Sequence, residues 1–219
     1  MSPANLTRSE TADRAAHIVV STIAVELDLR NATDAEQSGF DSITTLTFSA
    51  TCAQTWIDFV GEAVERVEVN GDAQPVDWDG ARIHVRNVAP RNVVRIWARG
   101  AYSRSGEGLH RFTDPVDDKV YLYTQYEPAD CRRVYPCFEQ PDLKARWTFT
   151  VTAPTGWVVL SNAPEQDRTP VERGERVTFE ETLPISSYIT AVAAGPSHRV
   201  ASAWHGAAQS VQLGVLCRA

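Results

Sequence analysis

The sequence predicts an all-β fold, a saddle-like sandwich of many short, mostly antiparallel strands behind one short N-terminal helix. Three observations carry this. Apolar residues alternate with polar ones in at least seven separate runs. Turn dipeptides fall between those runs, at Asn70-Gly71, Asp79-Gly80, Thr155-Gly156 and Arg173-Gly174. Little helix is expected beyond one short stretch at the N-terminus, which opens on a helix-start signal. Period-two alternation places successive side chains on opposite faces of a sheet, so each run reads as a strand with one buried face.

Thr7-Arg-Ser-Glu10 has the form of a capping box, with Thr7 as N-cap and Glu10 reaching back to it. The helix it opens is predicted to end near His17. Ile23, Val25, Leu27 and Leu29 then alternate with Ala24, Glu26 and Asp28. The next runs are built on Leu46, Phe48 and Ala50; on Val67 and Val69; on Ile83 and Val85; and on Val94, Ile96 and Ala98. Trp147, Phe149 and Val151 continue the pattern, and Val177 and Phe179 repeat it late in the chain. Residues 100–119 have no clear period and are predicted as a long loop. Residues 1–17 form a helical lead-in, 18–199 the β domain, and 200–219 a connection toward a further domain, with a strand expected from about Val200.

The 219 residues carry a net charge of −7 and are 43% hydrophobic, ordinary values for a globular chain with a sizeable core. The negative charge argues against nucleic acid and anionic membrane surfaces as partners. No run approaches the length of a membrane-spanning helix, and Met-Ser-Pro-Ala-Asn-Leu-Thr-Arg8 is not of the basic-then-apolar form of a secretory signal. A cytoplasmic location is therefore expected. The four cysteines, Cys52, Cys131, Cys137 and Cys217, form no C-x-x-C pair and are expected as free thiols.

Tyr121 to Gln125 is an apolar-aromatic strand ending just before Glu127-Pro128. In extended chain, residues i and i+2 face the same way, so Gln125 and Glu127 share one side. A carboxylate there is suited to hold a free α-ammonium, and a neighbouring carboxamide both donates and accepts. Arg132 and Arg133 are expected to fix the following turn through Glu139, Asp130 or Asp142, and Tyr123, Tyr126 and Tyr135 to pack in the sheet.

Thr124-Gln-Tyr-Glu-Pro-Ala-Asp-Cys-Arg-Arg133 and Tyr135-Pro-Cys-Phe-Glu-Gln-Pro-Asp-Leu-Lys-Ala145 resemble the T-Q-F-E-P-x-D-A-R-R and F-P-C-F-D-E-P-x-x-K-A signatures of the aminopeptidase N family of zinc metallopeptidases. Ser105-Gly-Glu-Gly-Leu-His-Arg-Phe112 with Asp114-Pro115, Trp147 to Pro154, Ser161-Asn162 and Ile185 to Pro196 are similar to further segments of that family's N-terminal domain in actinobacterial-type members. The resemblance covers nearly the whole chain. It implies that Glu127 helps bind the free amine of a peptide substrate and that Gln125 lines the pocket for the first side chain. Two departures stand out. Cys131 replaces a common alanine, and Glu139-Gln140 replaces Asp-Glu.

The resemblance also implies a zinc ion in the full-length enzyme, bound by His-Glu-x-x-His on a helix. None of the five histidines, His17, His84, His110, His198 and His205, is followed by Glu or has a histidine at i+4. The Gly-x-Met-Glu-Asn strand is likewise missing, since Met1 is the only methionine. No catalytic residue, metal ligand or bound cofactor is therefore assigned to this chain, and alone it is expected to be inactive. Three readings stay open. The chain is the substrate-anchoring part of a longer enzyme with its catalytic domain in cis. It is a stand-alone module binding peptide termini or a protein partner. Or it is one half of a split enzyme completed by a separate zinc-bearing chain.

Overall fold

A computed structural model describes residues 5–218. The helix α1 (Arg8–His17) starts at a complete capping box: the Thr7 side chain accepts from the Glu10 N–H, and the Glu10 carboxylate accepts from the Thr7 N–H at 2.8 Å. Its one buried side chain is Arg14.

The chain then enters β1 (Ile18–Asp28), β2 (Gly39–Ala50), β3 (Gln54–Asp58), β4 (Ala63–Val69), β5 (Asp72–Gln74), β6 (Arg82–Arg86) and β7 (Arg91–Ser103). Between β4 and β5, Asn70 and Gly71 both take positive φ, 55° and 90°, as a two-residue hairpin turn requires. The second half comprises β8 (Gly108–Thr113), β9 (Val120–Gln125), β10 (Arg146–Ala153), β11 (Val158–Leu160), β12 (Glu165–Val171), β13 (Gly174–Phe179) and β14 (Ala193–Gly195). The last two strands are β15 (Ser197–His205) and β16 (Ser210–Arg218).

Twelve strands form one mixed sheet in the order β11-β14-β9-β8-β7-β2-β1-β10-β13-β12, with β4 and β5 added on β7. β1 pairs antiparallel with β2 on one edge and parallel with β10 on the other. The sheet divides at β7. Residues 94–99 pair with β4, whereas Tyr102 and Ser103 pair in parallel with β8 on the same side. β3 and β6 form a small second sheet, and β15 and β16 a third.

Every apolar residue that marks the seven alternating runs lies in the core, none more than 7% exposed. Burial of such faces, worth roughly 25 cal/mol per Å² of apolar surface, drives the assembly. Trp147 and Phe149 stack at 6.1 Å beneath Tyr135, whose ring lies 5.9 and 5.8 Å from theirs.

One sequence expectation is corrected. Residues 100–119 are not a single loop. β7 runs through to Ser103, and β8 occupies Gly108–Thr113, pairing antiparallel with β9. β8 buries Gly108 and Leu109 but exposes Phe112 and Thr113, so its burial has no period of two. The strand expected from Val200 is β15, paired along its length with β16. Val200, Trp204, Leu213 and Val215 of this hairpin are all about half exposed or more.

Candidate functional site

β9 is held on both edges, by β8 through Gly108↔Gln125 to Thr113↔Val120 and by β14 through Leu122 and Tyr123. The Thr124 N–H donates to the Val192 carbonyl, and its hydroxyl accepts from the Val192 N–H at 2.9 Å. The strand stops at Gln125 and the chain reverses, the Asp130 N–H donating to the Tyr126 carbonyl at 2.8 Å.

Within this segment Tyr126 is 2% exposed, while Gln125 and Glu127 on either side of it are exposed. Tyr126 meets the Tyr135 ring edge-on at 5.9 Å, and its inward side chain leaves its two neighbours facing out. Among the described residues neither the Gln125 nor the Glu127 side chain has a hydrogen-bond or ion-pair partner, so both polar groups are open to a ligand. A cleft of about 660 Å³, bordered by Tyr102, Glu107, Arg111 and Arg133, does not include either residue.

The turn behind the pair is strongly braced. Cys131–Arg133 form one 3-10 turn. The Arg133 guanidinium donates to Asp130 at 2.6 Å, and the Arg132 N–H donates to Glu139 Oε2 at 2.8 Å. Of the three partners expected for the two arginines, Asp130 thus takes Arg133 as an ion pair, and Glu139 takes the backbone of Arg132. Asp142 is exposed. The Arg132 guanidinium also donates to Asn5 at 3.0 Å.

The two departures at 139 and 140 have structural uses. The Glu139 carboxylate spans the Arg132 N–H and the Ser187 hydroxyl, which donates to it at 2.5 Å. Burial pushes its pKa up, against these donors. Gln140 accepts from Arg14 Nε at 2.9 Å and donates to the Thr11 carbonyl at 2.9 Å. A carboxylate could accept from Arg14 but could not donate to Thr11. Arg14 also pairs with Asp58 at 2.8 Å, both side chains 1% exposed, and the Glu139 N–H donates to the same Asp58 oxygen at 3.0 Å. Helix α1 is thereby tied to the segment behind the exposed pair.

Sequence reasoning missed Arg14, Asp58, Ser187 and Thr190 as supports of this turn. Arg14 lies in a helix of polar and small residues, where a solvated arginine is the ordinary reading. Tyr135 and Thr190, whose hydroxyls are 2.7 Å apart, lie far apart in the chain.

Among the described residues no histidine belongs to a cluster of three metal-ligating side chains. The one such cluster is Cys131, Cys137 and Glu139. The residues present do not fit a hydrolytic zinc centre with histidine ligands and an open position.

The fold and the braced turn define a β-sheet domain that exposes a carboxylate and a carboxamide on either side of a buried tyrosine. Residues 90–189 match the family model described as the peptidase M1 N-terminal domain. Aminopeptidase N of Streptomyces lividans is 46% identical over 98% of this chain, which spans 25% of that relative. Human glutamyl aminopeptidase is 35% identical over 39% of the chain, 9% of its own length. The fold superposes on the M1 zinc metallopeptidase of Deinococcus radiodurans with TM-score 0.77 at 18% identity, covering 93% of this chain and 48% of that one. A structure of the latter's mutant with a Tyr-Ser-Ala substrate bound superposes at TM-score 0.74 and 18% identity, with the same coverage. The chain belongs to the M1 aminopeptidase family and carries its N-terminal domain. It spans no more than about half the length of any of these relatives, and no His-Glu-x-x-His is among its 219 residues.

Proposed function

We propose that this chain anchors the N-terminus of a peptide for a zinc aminopeptidase. Glu127 pairs with the substrate α-ammonium, and Gln125 lines the space for the first side chain. The observation that carries this reading is the exposed, unpartnered Gln125 and Glu127 on either side of buried Tyr126. An exopeptidase must sense a chain end, and a fixed carboxylate does so by a charge-assisted hydrogen bond to the ammonium. The zinc-bearing catalytic domain acts in cis in this reading and closes the open side of the site. The exposed apolar hairpin β15–β16 is part of the surface that it covers. The substrates are peptides, and the cysteines, none in a C-x-x-C pair, suit a reducing compartment such as the cytoplasm.

The test is made in an enzyme that joins this chain to its zinc-bearing part. A hydrogen bond to a charged group contributes about 1.5–3 kcal/mol, so Glu127→Gln should lower kcat/KM for aminoacyl substrates by roughly 10- to 150-fold. A variant within twofold of the parent sinks the assignment of Glu127. The 219-residue chain alone should hydrolyse no aminoacyl substrate, and a chelator-sensitive rate from the pure chain would show otherwise.

A further inference from the structure

Cys131 and Cys137 place their Sγ atoms 3.6 Å apart, and neither residue has exposed surface. The chain between them is short and folded back on itself. The Val134 and Tyr135 N–H groups both donate to the Cys131 carbonyl, and Cys137 exchanges two backbone hydrogen bonds with Asp58. The facing of the two thiols is thus imposed by backbone pairing at both ends. The Thr190 hydroxyl lies 3.9 Å from Cys131 Sγ. The Glu139 carboxylate completes a group whose ligand atoms all lie within 4.8 Å of one another.

Two sulfurs and a carboxylate are a conceivable donor set for a soft divalent ion. Here, however, both Glu139 oxygens already accept hydrogen bonds, from the Arg132 N–H and the Ser187 hydroxyl. Two thiols need no third ligand to react with each other. We propose that Cys131 and Cys137 form a reversible intramolecular disulfide site that staples the 3-10 turn to the segment paired with Asp58.

The reaction needs a two-electron oxidant of the peroxide class. One thiolate attacks a peroxide oxygen, giving a sulfenic acid and releasing water. The second sulfur then displaces that hydroxyl as another water. In total two S–H bonds break, one S–S bond forms, both sulfurs are oxidised, and the peroxide is reduced to water. The sulfurs must close by about 1.6 Å to reach disulfide bond length. Burial pushes both thiol pKa values up, so thiolate is scarce and oxidation is slow at neutral pH and faster as pH rises. The staple would lie four residues after Glu127, yet it does not depend on the role given to Glu127.

The experiment uses the full chain carrying Cys52→Ser and Cys217→Ser, which leaves only this pair. It is treated with hydrogen peroxide across a range of rising pH, then denatured, alkylated and weighed. The expected product takes no alkyl group, weighs two hydrogens less than the reduced chain and returns to the dithiol with dithiothreitol. Digestion should yield a linked peptide joining Cys131 to Cys137. Cys131→Ala, and separately Cys137→Ser, should each leave one alkylatable thiol and no linked peptide. The proposal is overturned if both thiols stay alkylatable after oxidation at high pH, or if oxidation gives sulfinic acids or links between chains. A zinc ion held by the native protein that blocks both thiols until chelated would also overturn it.

Discussion

Replacing Arg14 by methionine tests whether helix α1 holds the segment behind the exposed pair. Methionine keeps most of the side chain's length and removes the charge. Arg14 and Asp58 are each 1% exposed and 2.8 Å apart. The guanidinium also lies over the Trp56 ring at 4.8 Å and donates to Gln140. Breaking a buried pair from one side strands the other charge and typically costs about 3–5 kcal/mol. Asp58 would keep two donors, Trp56 Nε1 at 3.2 Å and the Glu139 N–H at 3.0 Å. That places the loss near the low end, about 3 kcal/mol. For a domain of this size it corresponds to a fall in Tm of about 6–12 °C. Thermal unfolding followed by near-ultraviolet circular dichroism reads it directly. High salt should not narrow the gap, because a buried pair is poorly screened. Adding Asp58→Asn to Arg14→Met should recover part of the loss, since the stranded charge is gone. A melting point for Arg14→Met within about 2 °C of the parent would refute the reasoning.

Two further outcomes concern the same attachment. Gln140→Glu should destabilise the domain by about 1–3 kcal/mol in urea, because the part-buried Thr11 carbonyl loses the Gln140 donor and a further carboxylate is placed beside Asp58 and Glu139; an unchanged midpoint would show that water or a shifted backbone replaces it. Glu10, held by Arg82 and by the Thr7 N–H, has its pKa lowered from 4.5 to about 2. A depressed carboxylate contributes stability above its unfolded value, and that contribution is lost as pH falls from 4.5 through about 2. With its partial exposure discounted, the difference in stability between the parent and Glu10→Gln should shrink by about 1 kcal/mol over that window. A gap that stays constant with pH would argue against the pairing.

The strands that sequence reasoning located are those with one face in water and one in the core. β1, β2, β7 and β10 alternate because each carries a buried row opposite a polar one. Most of the strands it missed break that condition, β3 being the exception. β12, Glu165–Val171, is a polar edge strand with hardly any buried surface and a proline, so it writes no period. β5, β11 and β14 are three residues each, too short for alternation to show. At the candidate site, the outward pair around Tyr126 follows from local alternation and was readable. The bracing was not, because Arg14 to Asp58, Tyr135 to Thr190 and Glu139 to Ser187 join residues distant in sequence. The unusual Glu139-Gln140 was visible as a departure, but its use required seeing Ser187 and Thr11 beside it.

Among the described residues no buried core side chain comes from beyond Ala194. The hairpin of β15 and β16 is joined to the body by the Arg218–Asp114 ion pair and a limited contact with β11. Its opening therefore costs only its own ladder and those few ties, whereas opening any central strand dismantles the shared core. The molecule has two tiers of cooperativity. Amide protons in 197–218 should exchange through local fraying, and those of β1, β2 and β10 only through global unfolding.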